Sequence, residues 1–416
     1  MGYLMNIYFI VILVAMIGGY FLELIADILN LKALKPKPPE DLADLYDPSE
    51  YEKSQAYTIV TTKFGIIKST FSLALSIVFW FAGGFRIFDD FAVSFGFGSI
   101  VTGLIYTGLL IAASSVIMFP FSIYSTFVIE EKFGFNKTTV KTFILDIVKG
   151  ICLGVIIGAP LLAGIFAFLT YTGTYAWLWC WLVVTLFMVV IQFVAPTWIM
   201  PLFNKFTPLE DGELRQAIMD FAKKAKFPLS NVFVMDGSKR SSKSNAFFTG
   251  FGKNRRIALF DTLIEKHTIP ELVAVLAHEA GHYKKGHIIK SIAVSILYFG
   301  FMFWVLSVFI TEKGLFDAFF MERVSVYAGL VFFSMLFSPV EMILSIGLKA
   351  HSRANEYEAD RFAVENTGGS SDLVSALKKL HADNLANLTP HPFYVFLNYT
   401  HPPVSLRIKA MKSHES

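Results

Sequence analysis

Apolar residues in this chain gather into seven long runs joined by shorter polar connections, at roughly 4–25, 66–85, 101–122, 147–169, 176–199, 288–311 and 327–348. Each run is close to the ~20 residues with which a helix crosses the hydrocarbon of a bilayer. The pattern therefore predicts an all-α polytopic membrane protein with seven transmembrane helices. The largest polar interruption, 200–287, predicts a small α+β portion outside the bilayer. Within it, Leu214, Ile218, Phe221, Ala222 and Ala225 repeat at helical spacing over Glu213 to Lys226. Short strands are predicted at Val232 and Val234, at Ala246 to Phe251 and at Arg255 to Leu259, with turns at Asp236-Gly237 and Gly252-Lys253-Asn254. Pro270 suits the first position of the next helix, which leads toward the sixth span. The stretch from Ala33 to Tyr57, with Pro36, Pro38, Pro39 and Pro48, reads as a surface loop with short helices. The chain thus divides into 1–199 with five spans, an insertion at 200–287, spans six and seven at 288–348, and a tail at 349–416.

Composition supports this division. Hydrophobic residues make up 54% and charged residues 17%, against about 25% charged in soluble domains. The first run lacks a basic leader, so it reads as a span and not as a cleaved signal peptide. Lys32, Lys35, Lys37, Lys53 and Lys63 follow the first span, and Lys132, Lys137 and Lys141 follow the third. The intervening connections carry little more than Arg86, Lys313 and Arg323. The positive-inside bias then puts the N-terminus outside, and the 200–287 insertion and the tail on the cytoplasmic side. Cys152 and Cys180 both fall inside spans and suit apolar packing. No dense Lys/Arg run exists, so no nucleic-acid partner is indicated. A transporter is disfavoured because the spans show no broken, repeated halves.

The candidate chemistry lies in His278-Glu279-Ala280-Gly281-His282, an H-E-x-x-H pattern flanked by the apolar Val273 to Ala277. Residues four apart share a helix face, so both imidazoles reach one cation. A zinc ion there lowers the pKa of a water to about 7, and Glu279 beside it can take the proton. A third protein ligand is needed. His287 lies five residues beyond His282, off the ligand face of a continuous helix, and reads as a surface residue beside Lys284 and Lys285. After the seventh span come Glu356, Glu358 and Asp360. Glu356 and Asp360 share a face, which suits a ligand and a carboxylate hydrogen-bonded to a ligand imidazole. A solvated acidic helix is an equal reading, and His351 is a rival ligand. Glu341, fifteen residues before Glu356, is about 22 Å away on a continuous helix, too far to join the site. With Gln192 and an Asp146/Lys149 pair at a membrane end, it suggests polar groups facing a cavity.

The chain resembles the integral-membrane CAAX prenyl endopeptidases, zinc enzymes that remove three residues after a prenylated cysteine. The resemblance rests on the zinc helix, on Tyr124 to Asn136, Pro201 to Leu209 and Ser244 to Gly250, and on Thr400-His401-Pro402-Pro403 with Arg407 following. It covers nearly the whole chain. It implies one Zn²⁺ with Glu356 as third ligand and Asp360 behind it. It also implies an edge strand containing Asn245 and Ala246 that pairs with substrate backbone, and His401 and Arg407 as groups that stabilise the tetrahedral intermediate. The implied architecture is a seven-helix barrel around a water-filled chamber. The implied partners are the bilayer and a peptide or protein substrate, possibly prenylated; the alternative is a quality-control protease acting on unprenylated or misfolded chains. The tail ends without a recognisable retrieval address, so residence in the endoplasmic reticulum is not indicated.

Overall fold

The computed structural model describes residues 6–43, 47–229, 231–249 and 256–414. The predicted turn at 252–254, Phe251, Arg255 and the first residues of the 4–25 run lie outside the described residues. Among the described residues, seven helices are long and apolar enough to cross a membrane: Ile7–Lys32, Pro48–Phe81, Ser99–Glu130, Val140–Tyr171, Gly173–Phe203, His287–Phe309 and Val326–Thr367. Every predicted run lies in or mostly within one of them.

The first is α1 (Ile7–Lys32), capped by Asn6, whose side chain accepts from Phe9 N. The second, α2 (Pro48–Phe81), begins well before its apolar run. Residues 48–57 are therefore helical and not a surface loop. Asp47 stands at the N-cap and Pro48 in the first turn, where a missing N–H costs nothing. An amphipathic α3 (Gly84–Ser94) follows, then α4 (Ser99–Tyr124). The fourth span is α5 (Val140–Leu153) and α6 (Ala159–Tyr171), the fifth α7 (Ala176–Val194) and the short α8 (Met200–Phe203). The wide turn at Ala195–Ile199 contains Pro196, which cannot supply an in-register N–H.

The insertion folds as α9 (Glu213–Lys224), α10 (Asp261–Lys266) and a four-stranded sheet. Its strands are β1 (Phe206–Pro208), β2 (Asn231–Met235), β3 (Ala246–Thr249) and β4 (Arg256–Phe260), in the order β1-β2-β4-β3. β1 was not legible as a strand because it is only three residues long and ends in proline. Among the described residues β3 pairs with β4 alone, antiparallel with Ala246 opposite Leu259, which puts it at the edge of the sheet. The zinc-motif helix is α11 (Ile269–Lys284). It is followed by the sixth span α12 (His287–Phe309), the short α13 (Lys313–Asp317) and α14 (Val326–Thr367). The tail adds α15 (Ser371–Asp383), α16 (Pro392–Asn398) and α17 (Val404–Ser413).

Contacts run from α14 to α4, α6, α7 and α12 and back to α14, a closed circuit of helices, with α1 packed on both α2 and α14. Along α12, Ile289, Leu297, Trp304 and Val308 form an exposed apolar stripe, while Phe303 and Leu306 are buried. Burial of such a stripe by lipid is what makes the helix a span. A second core lies outside the membrane. There Leu272, Leu276, Ala277 and Ala280 of α11 pack with Ile257 and Leu259 of β4, Ile218 and Phe221 of α9, Leu373 and Leu377 of α15, and Ile408 of α17. Helix α14 joins the two cores. Its 42 residues are about 63 Å long, twice the ~30 Å hydrocarbon thickness, so its C-terminal half projects into the peptidase portion.

Candidate active site

The site begins with the start of α11. Thr268 N donates to Glu271 Oε2 at 2.8 Å, the reciprocal half of a capping box. Ser375 Oγ and Lys379 Nζ of α15 also donate to Glu271, at 2.6 and 2.8 Å. Burial pushes this carboxyl up, but Lys379, Ser375 and the Thr268 N–H outweigh it and bring it down to about 2. Two and three turns beyond Glu271, the apolar face of α11 is in the core and His278 and His282 face α14.

The two helices cross at very short range. A Cβ on Gly281 would lie 2.9 Å from both Cα and O of Ala359. Only glycine permits this approach, and it carries Glu356 to the histidine pair. His278 Nε2 and His282 Nε2 lie 3.1 Å apart. Glu356 Oε2 is 3.4 Å from the first and Oε1 is 3.3 Å from the second. A tetrahedral shell with bonds of about 2.0–2.1 Å has edges near 3.3 Å, so these spacings fit one zinc ion. Glu356 Oε2 is buried and, among the described residues, makes no hydrogen bond of good geometry, with the Arg407 guanidinium as a charged neighbour at 3.3 Å, so a lone pair stays free for a metal ion.

Behind the donors, Asp360 Oδ1 lies 2.8 Å from His278 Nδ1. Burial favours the neutral His278 ring, yet Asp360 and Glu356 outweigh it and raise the metal-free imidazole to about 9. Arg407 of α17 is buried; its Nε and Nη2 donate to the two oxygens of Asp360 at 2.8 and 2.6 Å. Its Nη1 lies 3.3 Å from Glu356 Oε2. Burial works against its charge, and Asp360 more than compensates, raising its pKa. His401, just before α17, is 64% exposed and its Nε2 lies 3.4 Å from Glu356 Oε1. A cavity of about 560 Å³ opens over these groups, lined by Asn245, Ala246, Glu279, Leu377, His401 and Arg407 among others. Glu279 also borders a second cavity, of about 410 Å³, with Gln192, His282 and His287. The structure thus brings His278, Glu279, His282, Glu356, Asp360, Asn245, Ala246, His401 and Arg407 to one region, and leaves His351 outside it.

Two family models divide the chain: "CAAX prenyl protease N-terminal, five membrane helices" matches residues 27–205, and "Peptidase family M48" matches 208–415. The chain belongs to peptidase family M48. Curated relatives include the CAAX prenyl protease 1 homologs of Arabidopsis thaliana, 38% identical over 96% of both chains, and Oryza sativa, 37% identical over 97% of both. CAAX prenyl protease 1 of Saccharomyces cerevisiae is 35% identical over 91% of this chain and 89% of its own. The crystal structure of S. mikatae Ste24p superposes with a TM-score of 0.91 at 34% identity, covering 98% of this chain and 99% of that one. This M48 protein is therefore a multi-pass membrane metallopeptidase, and its substrate is a peptide or protein.

Two readings of the M48 chain need correction. His287 is not a surface residue: it is buried, with Nδ1 2.9 Å from His282 Nδ1 and Nε2 3.1 Å from Glu358 Oε2. The helix-wheel argument fails because α11 and α12 are not one helix. Gly286, at φ +70°, breaks the chain between them and turns His287 back. Lys284-Lys285-Gly286 is the signal that could have shown this, basic residues and then glycine at a helix end. Asp146 pairs with Arg240 at 2.7 Å, and not with Lys149, whose Nζ donates to Leu202 O. The rival ligand His351 is exposed on α14, apart from the cluster. Glu341 and Tyr298 line a separate cavity of about 280 Å³.

Proposed function

We propose that this metallopeptidase holds a single zinc ion on His278, His282 and Glu356 and cleaves peptide bonds near the C-terminus of prenylated proteins at the cytoplasmic face of the membrane. The observation that carries the metal centre is the trio of donors at tetrahedral spacing, with Glu279 next in sequence to one of them. When bound, the ion supplies a water of lowered pKa and polarises the scissile carbonyl. The Glu279 carboxylate takes the proton released by the attacking water and returns it to the nitrogen of the leaving amine. An extended substrate adds to the edge of β3 that faces away from β4, beside Asn245 and Ala246, and main-chain pairing there suits a peptide of variable sequence. His401, exposed at the cavity, donates to the oxygen on which charge develops. Arg407 has two of its nitrogens on Asp360, so its part is chiefly to hold Asp360 and Glu356 in place, with Nη1 adding positive potential.

The prenylated substrate is supported by the names of the relatives, each a CAAX prenyl protease 1 or its homolog. The test is cleavage of a farnesylated C-terminal peptide beside its unlipidated twin by the purified protein in detergent or nanodiscs. Faster turnover of the lipidated peptide is expected. Equal rates would remove lipid recognition and favour action on unprenylated chains.

A further inference from the structure

The two histidine ligands are supported in different ways. His278 has a carboxylate directly on its Nδ1, from Asp360 at 2.8 Å. His282 instead meets another imidazole: its Nδ1 lies 2.9 Å from His287 Nδ1, and His287 Nε2 lies 3.1 Å from Glu358 Oε2. The protons along this chain can be assigned from chemistry alone. His282 turns Nε2 toward His278 and Glu356, so that nitrogen must offer a lone pair and its Nδ1 must carry the hydrogen. Two ring nitrogens at hydrogen-bond distance need one donor and one acceptor, so His287 Nδ1 accepts. Its hydrogen then sits on Nε2 and points at Glu358. Each nitrogen has one permitted role.

We propose that His287 and Glu358 form a relay that fixes the tautomer and ring orientation of His282, making His287 a positioning residue for the metal centre. The inference rests on the metallopeptidase reading and adds to it. Helix α14 would then serve the site three times, with Glu356 as donor, Asp360 behind His278 and Glu358 behind His282 through His287. The break at Gly286 acquires a purpose, since a continuous helix would carry His287 away from His282. His287 is 4% exposed, whereas the Glu358 side chain is 51% exposed, so the relay runs from a buried ring to an anchored but accessible carboxylate.

The test compares zinc retention against a chelator for His287→Leu, His287→Asn and wild type, with full-length protein in detergent. Outer partners of metal-binding histidines are worth about 10–100-fold in affinity. His287→Leu should weaken zinc by that factor. His287→Asn, whose Oδ1 takes the place of the accepting Nδ1, should stay within about threefold of wild type on the same scale. The absorption spectrum of the cobalt(II)-substituted protein should shift for Leu and be restored for Asn, which a loss of general packing would not produce. Wild-type affinity in the Leu variant, or an Asn variant as weak as Leu, overturns the relay. Should His287→Leu not fold, Glu358→Ala and Glu358→Gln make the same comparison at an exposed position. Gln keeps an acceptor for His287 Nε2 and should bind zinc more tightly than Ala; equal affinities sink the proposal. A wild-type protein that binds no zinc would instead refute the zinc centre proposed on His278, His282 and Glu356.

Discussion

At the scale of single residues, the proposed mechanism separates groups that would hold the metal from the one that would move protons. Glu279 borders two cavities and stands outside the trio of donors proposed for the metal. Glu279→Gln should therefore retain wild-type metal content while peptidase turnover falls by about a hundred- to ten-thousandfold, the usual worth of a positioned acid–base group. Turnover on the target peptide and elemental analysis on the same preparation decide it, and full activity in the variant would end its assignment as base. Glu356→Ala acts on the other function. It removes a donor and takes from the buried Arg407 one of its carboxylate neighbours, so metal content should drop sharply. Unchanged zinc in that variant would strike Glu356 from the donor set.

At the scale of elements, the site depends on how closely α11 and α14 cross. Gly281→Ala puts a Cβ 2.9 Å from backbone atoms of Ala359, which no side-chain rotation can relieve. Overpacking of this kind costs about 1–3 kcal/mol. Because Ala359 is one turn from Glu356, the displacement also moves a donor. Lower thermal stability together with reduced zinc retention is expected, and a variant normal in both would show that the crossing is not tight. The start of α11 adds a pH effect. Glu271 is held near 2 in the folded protein against an ordinary 4.5, so its contribution is complete above about 4.5 and disappears as pH falls toward 2. Glu271→Gln should lower stability at neutral pH and flatten the acid limb of the unfolding profile in that window. Parallel profiles for variant and wild type would contradict the assignment. The exposed Lys379 limits the size of the effect through solvent screening.

At the scale of the whole molecule, the seven spans were legible because lipid-facing and core-facing residues are both apolar, which marks a span clearly. The same uniformity hides its neighbours, and no pattern within the runs shows that α14, α4, α6, α7 and α12 close a circuit. Span ends were misjudged where a helix continues into water: α2 gains residues from Pro48 and α14 continues to Thr367 beyond the predicted 348. The closeness of His278 and His282, the donors proposed for the metal, was legible because i, i+4 spacing is a property of one helix. The support of His282 was not, because it depends on a break at Gly286 and on a second helix.

The two ends of the molecule differ in a way that bears on its orientation. Lys243 meets Glu130 at 2.8 Å, and His391 N donates to Asn30, so the connections after the third and first spans lie with the peptidase portion. At the other end, Arg86 pairs with Glu322, Arg323 with Asp89, and Asn6 with Gly314 O. The lysines that follow the first and third spans therefore share an end with α9 and α11, and few basic residues occupy the opposite one. Basic connections stay on the cytoplasmic side during insertion, so the peptidase end should face the cytoplasm. Cysteine labelling in a Cys152→Ser background tests this, because Cys180 is fully buried. In sealed cells, an impermeant maleimide should label Glu322→Cys, whose position is 82% exposed at the far end, and should reach Lys223→Cys on α9 only after the membrane is opened. The reverse pattern would turn the molecule over. It would also place proteolysis on the side away from cytoplasmic substrates, removing prenylated cytoplasmic proteins from the proposed substrate class.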